Sequence, residues 1–324
     1  MAIDIDLNGR IEEVVNLIKS QNNILIITHK NPDGDAIGSS FGLYHALKKI
    51  GKRVAVDVGD EIPDIYKFMF KDYYKPDFKP SFIISVDLAD TKLLFEYLKK
   101  YENKIDLSID HHMSNTFYAG YTLVNSESAA TAQILYYIIK KLIGYNGIDN
   151  IIASCLYLGL TTDTGCFKYS SVTEITHKVA AALIERGADY FNVNKRMFDT
   201  KSKQKIQLEQ NVLANIEYYF NDQCALIYIS KLDKEKFQVK DYELEGISAL
   251  PTQIDGVEIG ITVKQQTDNE FKISIRTNEK YNASEICEHF GGGGHKRAGG
   301  CLIKGTYENV LDELLSFISK IYIR

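Results

Sequence analysis

At roughly 100–200 residues per domain, a chain of 324 residues has room for two domains, each able to bury its own core. A composition of 45% hydrophobic and 25% charged residues is that of a globular protein and excludes long disorder. The 38 basic residues are outnumbered by 43 acidic ones, for a formal charge of -5. No global basic field is therefore available to hold long duplex DNA through bulk charge.

The opening MAIDIDLNGRIEEV has acidic residues where a secretion signal needs a basic start. No apolar stretch reaches the roughly eighteen residues of a membrane span; the longest, 151–160, contains Ser154 and Gly159. The five cysteines have no CxxC spacing and read as reduced thiols rather than a disulfide framework or zinc knuckle. A cytoplasmic protein without membrane attachment is expected, and a homodimer is one assembly the sequence allows.

The apolar run 23–28 (NILIIT) predicts a short buried strand, followed by a loop and a helix over 36–50. Segments 53–58, 82–86 and 105–109 read as further strands separated by charged or helical sequence. This alternation predicts an α/β fold: a mainly parallel sheet covered on both faces, with ligands at the carboxyl ends of its strands. Residues 129–142, 148–160 and 173–186 read as three successive helices. The lysine-rich stretch 192–205 suits a connector. The expected organisation is a catalytic domain over 1–190, a helical connector over 191–215 and a smaller α/β domain over 216–324, with a cleft between the two domains. In the second domain a helix to about residue 219 precedes strands at 225–229, 257–263 and 271–276. A glycine-rich loop, a strand near 301–303 and a closing helix over 307–321 complete it.

Four acidic or histidine sites stand out. His29, Asp33 and Asp35 lie in HKNPDGD directly after the first strand; Asp87 ends SFIISVD; Asp110, His111 and His112 end IDLSID; Asp163 lies in LTTDTG. Taken singly, an Asp at a strand end is more often a cap or turn former. Three of these sites, however, follow strands of one predicted sheet, which gathers their side chains at one edge. Carboxylates so crowded repel one another unless cations neutralise them, and mixed carboxylate and imidazole ligands suit Mn2+ better than Ca2+ or Mg2+. No GxSxG motif or Cys-His pairing suggests a protein nucleophile, and Cys166 reads as a small packing residue. His45, His177 and His289 lie on helical sequence without carboxylate company and read as structural.

In the second half, four consecutive glycines ending at Gly293 and Gly294, then His295, Lys296 and Arg297, point to an anion-binding loop, with Arg276 ending a nearby strand. The rival reading is a flexible turn, which the glycines alone would favour.

HKNPDGDAIGS, VDLAD, DHH, TTDTGCF and GGGHKRAGG, in that order, resemble the DHH phosphoesterases with a DHH-associated C-terminal domain, of the nanoRNase and 3′-phosphoadenosine 5′-phosphate (pAp) phosphatase type. The resemblance implies two Mn2+ ions, with Mg2+ or Co2+ as possible substitutes. His29, Asp33 and Asp87 would hold one ion; Asp35, Asp87, His111 and Asp163 would hold the other. Asp110 would accept the ring proton of His111, and His112 would face the substrate phosphate or leaving oxygen. Arg276 and His295 would grip the phosphate of a short substrate. Such a pair of ions lowers the pKa of a bridging water and clamps the attacked phosphoryl group. The implied activity is hydrolysis of short oligoribonucleotides to mononucleotides and dephosphorylation of pAp. A phosphodiesterase for cyclic or linear dinucleotides, a RecJ-like single-strand exonuclease and a non-enzymatic nucleotide- or RNA-binding module are the alternatives. The last conflicts with the complete ligand set.

Overall fold

The computed structural model describes residues 5–59, 62, 64–70, 77–244 and 246–322. The chain divides after Thr200 into two compact units, each with its own sheet.

Helix α1 (Ile5–Ser20) opens the first unit; Ile11, Val14, Val15 and Ile18 recur at helical spacing and are buried. The sequence reading assigns no element here, although the pattern is plain. Strand β1 (Ile24–Ile27) leads to α2 (Gly34–Lys49) and β2 (Val54–Asp57), then β3 (Phe82–Val86), β4 (Leu107–Asp110) and β5 (Tyr121–Val124). All four pairings are parallel, in the order β2-β1-β3-β4-β5. The expected parallel α/β sheet is thus present, with β5 added at its edge.

Along β1 the side chains alternate. Ile24 and Ile26 pack under the helices, while Leu25 and Ile27 pack on the opposite face with Leu94, Leu98 and Ile105. A run of four apolar residues is what a strand buried on both faces requires. Helices α3 (Thr131–Ile143), α4 (Asn150–Asp163) and α5 (Glu174–Glu185) follow, near the expected ranges, and a short α6 (Tyr190–Asn194) runs into a π-helical turn, Lys195–Asp199, at the end of the unit.

The second unit begins with α7 (Lys203–Ala214). Its Leu208 and Val212 pack with Ile227 and Ile229 of the sheet, so this helix belongs to that unit's core. The expected continuation of this helix to about residue 219 is corrected: α7 stops at Ala214, and β6 (Glu217–Tyr219) pairs antiparallel with β7 (Cys224–Ile229). Pairing with β7 outweighs the helical pattern there. After α8 (Lys231–Phe237) come β8 (Ile259–Thr267), β9 (Glu270–Thr277), α9 (Ala283–His289), β10 (Gly293–His295), β11 (Ala298–Lys304) and α10 (Tyr307–Tyr322). The six-stranded sheet runs β10-β11-β9-β8-β7-β6, parallel only between β7 and β8. Ile273 and Ile275 of β9 face Ile286 of α9 and Leu314 and Ile318 of α10. Among the described residues, no helix is long and apolar enough to cross a membrane.

Candidate metal centre

Strand β1 has β2 on one side and β3 on the other, so the connections leaving β1 and β3 diverge. The resulting crevice at their carboxyl ends is where open α/β sheets bind ligands. His29 and Asp33 follow β1, and Asp87 follows β3.

Each ligand is held by local chemistry. Asn31 adopts a left-handed conformation (φ 57°), turning the loop so that Asp33 caps α2; its Oδ1 accepts from the backbone N–H of Asp35 and of Ala36, both at 3.0 Å. Asp35, in the first turn of α2, is fully inside the protein. A Cβ on Gly34 would lie 2.3 Å from Thr162 Oγ1, and one on Gly159 would lie 2.6 Å from Asp35 Oδ1. Only glycine at both positions lets the start of α2 meet the end of α4, which brings Asp33 and Asp35 to Asp163. Asp87 also has a left-handed backbone (φ 56°), a strained state for a non-glycine residue that its surroundings impose. Its N–H donates to Ile109 O at 3.0 Å, joining the end of β3 to β4.

The side chains converge. One carboxylate oxygen of Asp87, Oδ2, lies 3.9 Å from His29 Nε2; the other, Oδ1, lies 3.8 Å from His111 Nε2 and 3.6 Å from His112 Nδ1. His111 Nε2 is also 3.2 Å from Asp163 Oδ2. His29, Asp33 and Asp87 offer ligand atoms within 4.8 Å of one another, and so do Asp35, His111 and Asp163. Asp87 turns one oxygen toward each group. All six residues proposed from sequence as ligands are thus brought to one place.

Asp110 is not where the resemblance put it. Its Oδ1 accepts from His112 Nδ1 at 2.7 Å, while Asn115 donates to Oδ2 at 2.7 Å. The ring of His111 instead places Nδ1 3.1 Å from Ser128 O. The expected bond from His111 to Asp110 is therefore corrected: Asp110 orients the second histidine, and a backbone carbonyl orients the first. The backbone N–H groups of both histidines turn back onto Asp110 Oδ1, at 2.8 and 3.3 Å, which directs its carboxylate toward the nearer ring of His112. Asn115, which the sequence motifs did not single out, completes this arrangement through its bond to Asp110. Its signal was its place three residues beyond the histidine pair, where an amide can reach back.

The electrostatics fit a cation site. Burial, and then the charges of Asp35, Asp33, Asp163 and Asp110, push the Asp87 carboxyl well above the usual carboxylate range. Burial and the charges of Asp35 and Asp33 do the same to Asp163, which also ends α4, where the helix dipole disfavours an anion. Burial raises Asp35 as well. Three carboxylates that resist ionising together, with imidazole nitrogens turned to the same point, are the donor set of a bound divalent cation. Asp110 differs: burial opposes its charge, but the hydrogen bonds from His112 and Asn115 hold it below the usual range. Burial likewise opposes the His112 imidazolium, yet Asp110 raises its pKa.

In the second unit the glycine-rich segment is only partly a loop, with Gly291 and Gly292 in the turn after α9. Gly293–His295 is a strand, and Lys296 and Arg297 form the two-residue turn of a hairpin. Arg276 pairs with Ala298, which pairs with His295, so the three share a cross-strand row and one face of the sheet. Ser274, Gly300 and Gly293 form the next row on that face. Gly293 has nothing within 4 Å of an added Cβ. Other glycines serve packing: a Cβ on Gly299 would meet Ala283 O at 2.6 Å, and one on Gly294 would meet Ala298 O at 2.3 Å. Lys296 is exposed, and Arg297 donates to Tyr281 O at 3.3 Å.

Comparison with known proteins follows this division. Residues 23–160 match the DHH family, N-terminal domain, and residues 222–323 match the DHHA1 domain. The bifunctional oligoribonuclease and PAP phosphatase NrnA of Thermus thermophilus is 30% identical over 300 residues, covering 89% of this chain and 88% of its own. The protein of the same description from Mycoplasma genitalium is 27% identical over 322 residues, 97% of this chain and 98% of its own. The crystal structure of an exopolyphosphatase-related protein from Bacteroides fragilis superposes with a TM-score of 0.88 at 27% identity, covering 98% of both chains.

Proposed function

The chain belongs to the DHH phosphoesterase family, and we propose that it hydrolyses short oligoribonucleotides to mononucleotides and dephosphorylates pAp, using two Mn2+ ions in the cytoplasm. The observation that carries this reading is the convergence of His29, Asp33, Asp35, Asp87, His111 and Asp163 at the carboxyl edge of the parallel sheet. Relatives described as oligoribonucleases and PAP phosphatases, aligned over nearly the whole chain, support the substrate class.

His29, Asp33 and Asp87 would hold one cation, and Asp35, Asp87, His111 and Asp163 the other. Bound there, the ions would activate water and neutralise charge on the attacked phosphoryl group. The chain's own groups do the rest. His112 gives Nδ1 to Asp110, which leaves Nε2 to donate to the phosphate or to the leaving oxygen. Arg276 and His295, on one face of the second sheet with small residues beside them, bind the phosphate of a short substrate. The open surface at Gly293 leaves room for the substrate there, and the backbone of Gly294 and the Lys296–Arg297 turn would add donors.

The test is a turnover panel of pAp, pApA, cyclic di-AMP and ribo-oligomers of increasing length, with Mn2+ and Mg2+ compared. Cleavage of ribodinucleotides and pAp, falling with length, is expected. Activity on none of them overturns the assignment, and degradation of long single strands with dinucleotides spared replaces it with a processive exonuclease.

A further inference from the structure

Helix α3 begins without a cap of its own. Ala130 occupies the N-cap position and offers no side-chain acceptor. The first two N–H groups of the helix go instead to a residue nearly a hundred positions earlier: Thr131 N donates to Asp35 Oδ2 at 2.6 Å, and Ala132 N donates to Asp35 Oδ1 at 3.0 Å. Asp35 thus caps α3 from α2, and the positive end of the α3 dipole supports its buried charge.

The hydroxyl of the same Thr131 makes a second bond. Its Oγ1 donates to Asp87 Oδ1 at 2.9 Å, and Thr131 is wholly buried. One residue therefore holds both Asp35, through its backbone, and Asp87, through its side chain. The second bond has a specific consequence. Rotation of an aspartate carboxylate about its last torsion is soft and roughly two-fold. Asp87 serves both ligand groups only when its carboxylate plane turns one oxygen to His29 and the other to His111. The Thr131 hydroxyl, bonded to the oxygen on the His111 side, holds the carboxylate plane in that setting and resists rotation away from it. It can do so before any cation arrives, when the neighbouring carboxylates repel Asp87.

We propose that Thr131 is a positioning residue of the metal centre: its hydroxyl fixes the carboxylate of Asp87 in the orientation that serves both ligand groups, so that the centre binds two divalent cations without first reorganising. The inference rests on the two-cation reading above. It assigns no substrate contact to Thr131. Groups that orient metal ligands in this way commonly contribute about 10–100-fold to metal affinity.

The test is Mn2+ binding to the metal-free 324-residue chain, by calorimetry and by electron paramagnetic resonance of free Mn2+, for Thr131→Ser, Thr131→Val and Thr131→Ala. All three keep the backbone N–H that caps on Asp35; only serine keeps the hydroxyl. The expected order has serine within about threefold of the parent chain, and valine and alanine about 10–100-fold weaker. Circular dichroism identifies folded variants, and valine and alanine offer two independent removals of the donor. An unchanged affinity in either folded variant lacking the hydroxyl, or serine falling with valine and alanine, overturns the proposal. If neither Val nor Ala folds while serine does, the hydroxyl is required for the fold rather than for positioning, and the proposal is likewise overturned. Failure of the parent chain to bind Mn2+ would instead overturn the two-cation reading itself.

Discussion

Asp87 concentrates the chemistry of the first unit in one side chain. It is 2% exposed, its backbone is strained, and its two oxygens face different ligand groups. Asp87→Asn keeps the shape and removes the charge. Turnover of a ribodinucleotide should fall by more than about a hundredfold, beyond the cost usual for groups that only orient a ligand. Steady-state kinetics checks this, and undiminished turnover would show that Asp87 does not hold the metals that drive hydrolysis. A second prediction concerns pH. The folded-state pKa values of Asp87, Asp163 and Asp35 are raised, so their stability cost is absent below the unfolded carboxylate value and complete above the folded one. The raised His112 acts in the same direction, contributing stability that is lost as pH rises through its folded pKa. Asp110 is lowered, and its contribution is lost only in more acid solution, as pH falls through its folded pKa. Metal-free protein should therefore melt at higher temperature at about pH 5 than at about pH 7.5. Saturating Mn2+ should abolish that gain, because the ions keep the carboxylates charged. Differential scanning fluorimetry in chelator and in Mn2+ decides it; a melting temperature in chelator that falls with acidification would contradict the assignment of these groups.

At the scale of elements, the centre depends on how closely α2 and α4 approach. A Cβ on Gly38 would sit 2.3 Å from Cys155 O and 2.7 Å from Gly159 N, which are backbone atoms that cannot swing aside. Gly38→Ala should cost about 1–3 kcal/mol, as overpacking of a close interface does. Urea denaturation measures it. Gly159→Ala strikes differently, because its Cβ would meet Asp35 Oδ1 and Ala132 Cβ, at 2.6 and 2.7 Å. It should weaken Mn2+ binding more than Gly38→Ala does, and titration calorimetry on the pair separates a packing fault from a ligand fault. The second unit makes the same economy with glycine. Gly299 lets β11 lie against α9, while Gly293 leaves the opposite face open beside Arg276 and His295.

On the scale of the whole molecule, the two units divide the chemistry. The candidate metal ligands all lie before Thr200, and the row proposed to bind phosphate lies after Lys201. Arg276→Ala should raise KM for pAp by about 10–100-fold, the loss of a hydrogen bond to a charged group. It should leave the stabilisation by Mn2+ untouched. For the parent chain and this variant alike, that stabilisation should reach about 2.7 kcal/mol for each ion bound at a hundred times its dissociation constant. A variant that lost both substrate affinity and Mn2+ stabilisation would show that the two functions are not separate. The formal charge of -5 gains meaning at this scale, since part of the acidity lies in carboxylates that bound cations would neutralise.

Much of this was legible in the sequence, because strand periodicity and strand-end residues are local properties. Four apolar residues in ILII imply a strand buried on both faces. Aspartates placed after successive parallel strands meet at one edge, so the α/β class and the gathering of the strand-end candidates follow from order and spacing, whereas the full ligand set, with Asp163 from the end of α4, rests on the motif resemblance. The helix of IEEVVNLIK was equally available in its apolar spacing. What tertiary structure alone decided are the choices among partners of similar chemistry. Asp110 could have oriented either adjacent histidine, and only the turn after β4 gives it His112. The glycines near residue 293 could have formed a loop, yet pairing with β11 makes them a strand. The helix read from residue 129 begins instead at Thr131, behind an Ala130 that offers no cap, and the cap arrives from Asp35 only once α2 and α3 have packed. Spacing along a chain specifies which groups are present at an edge; which hydrogen bonds they make depends on long-range approach of backbone to backbone.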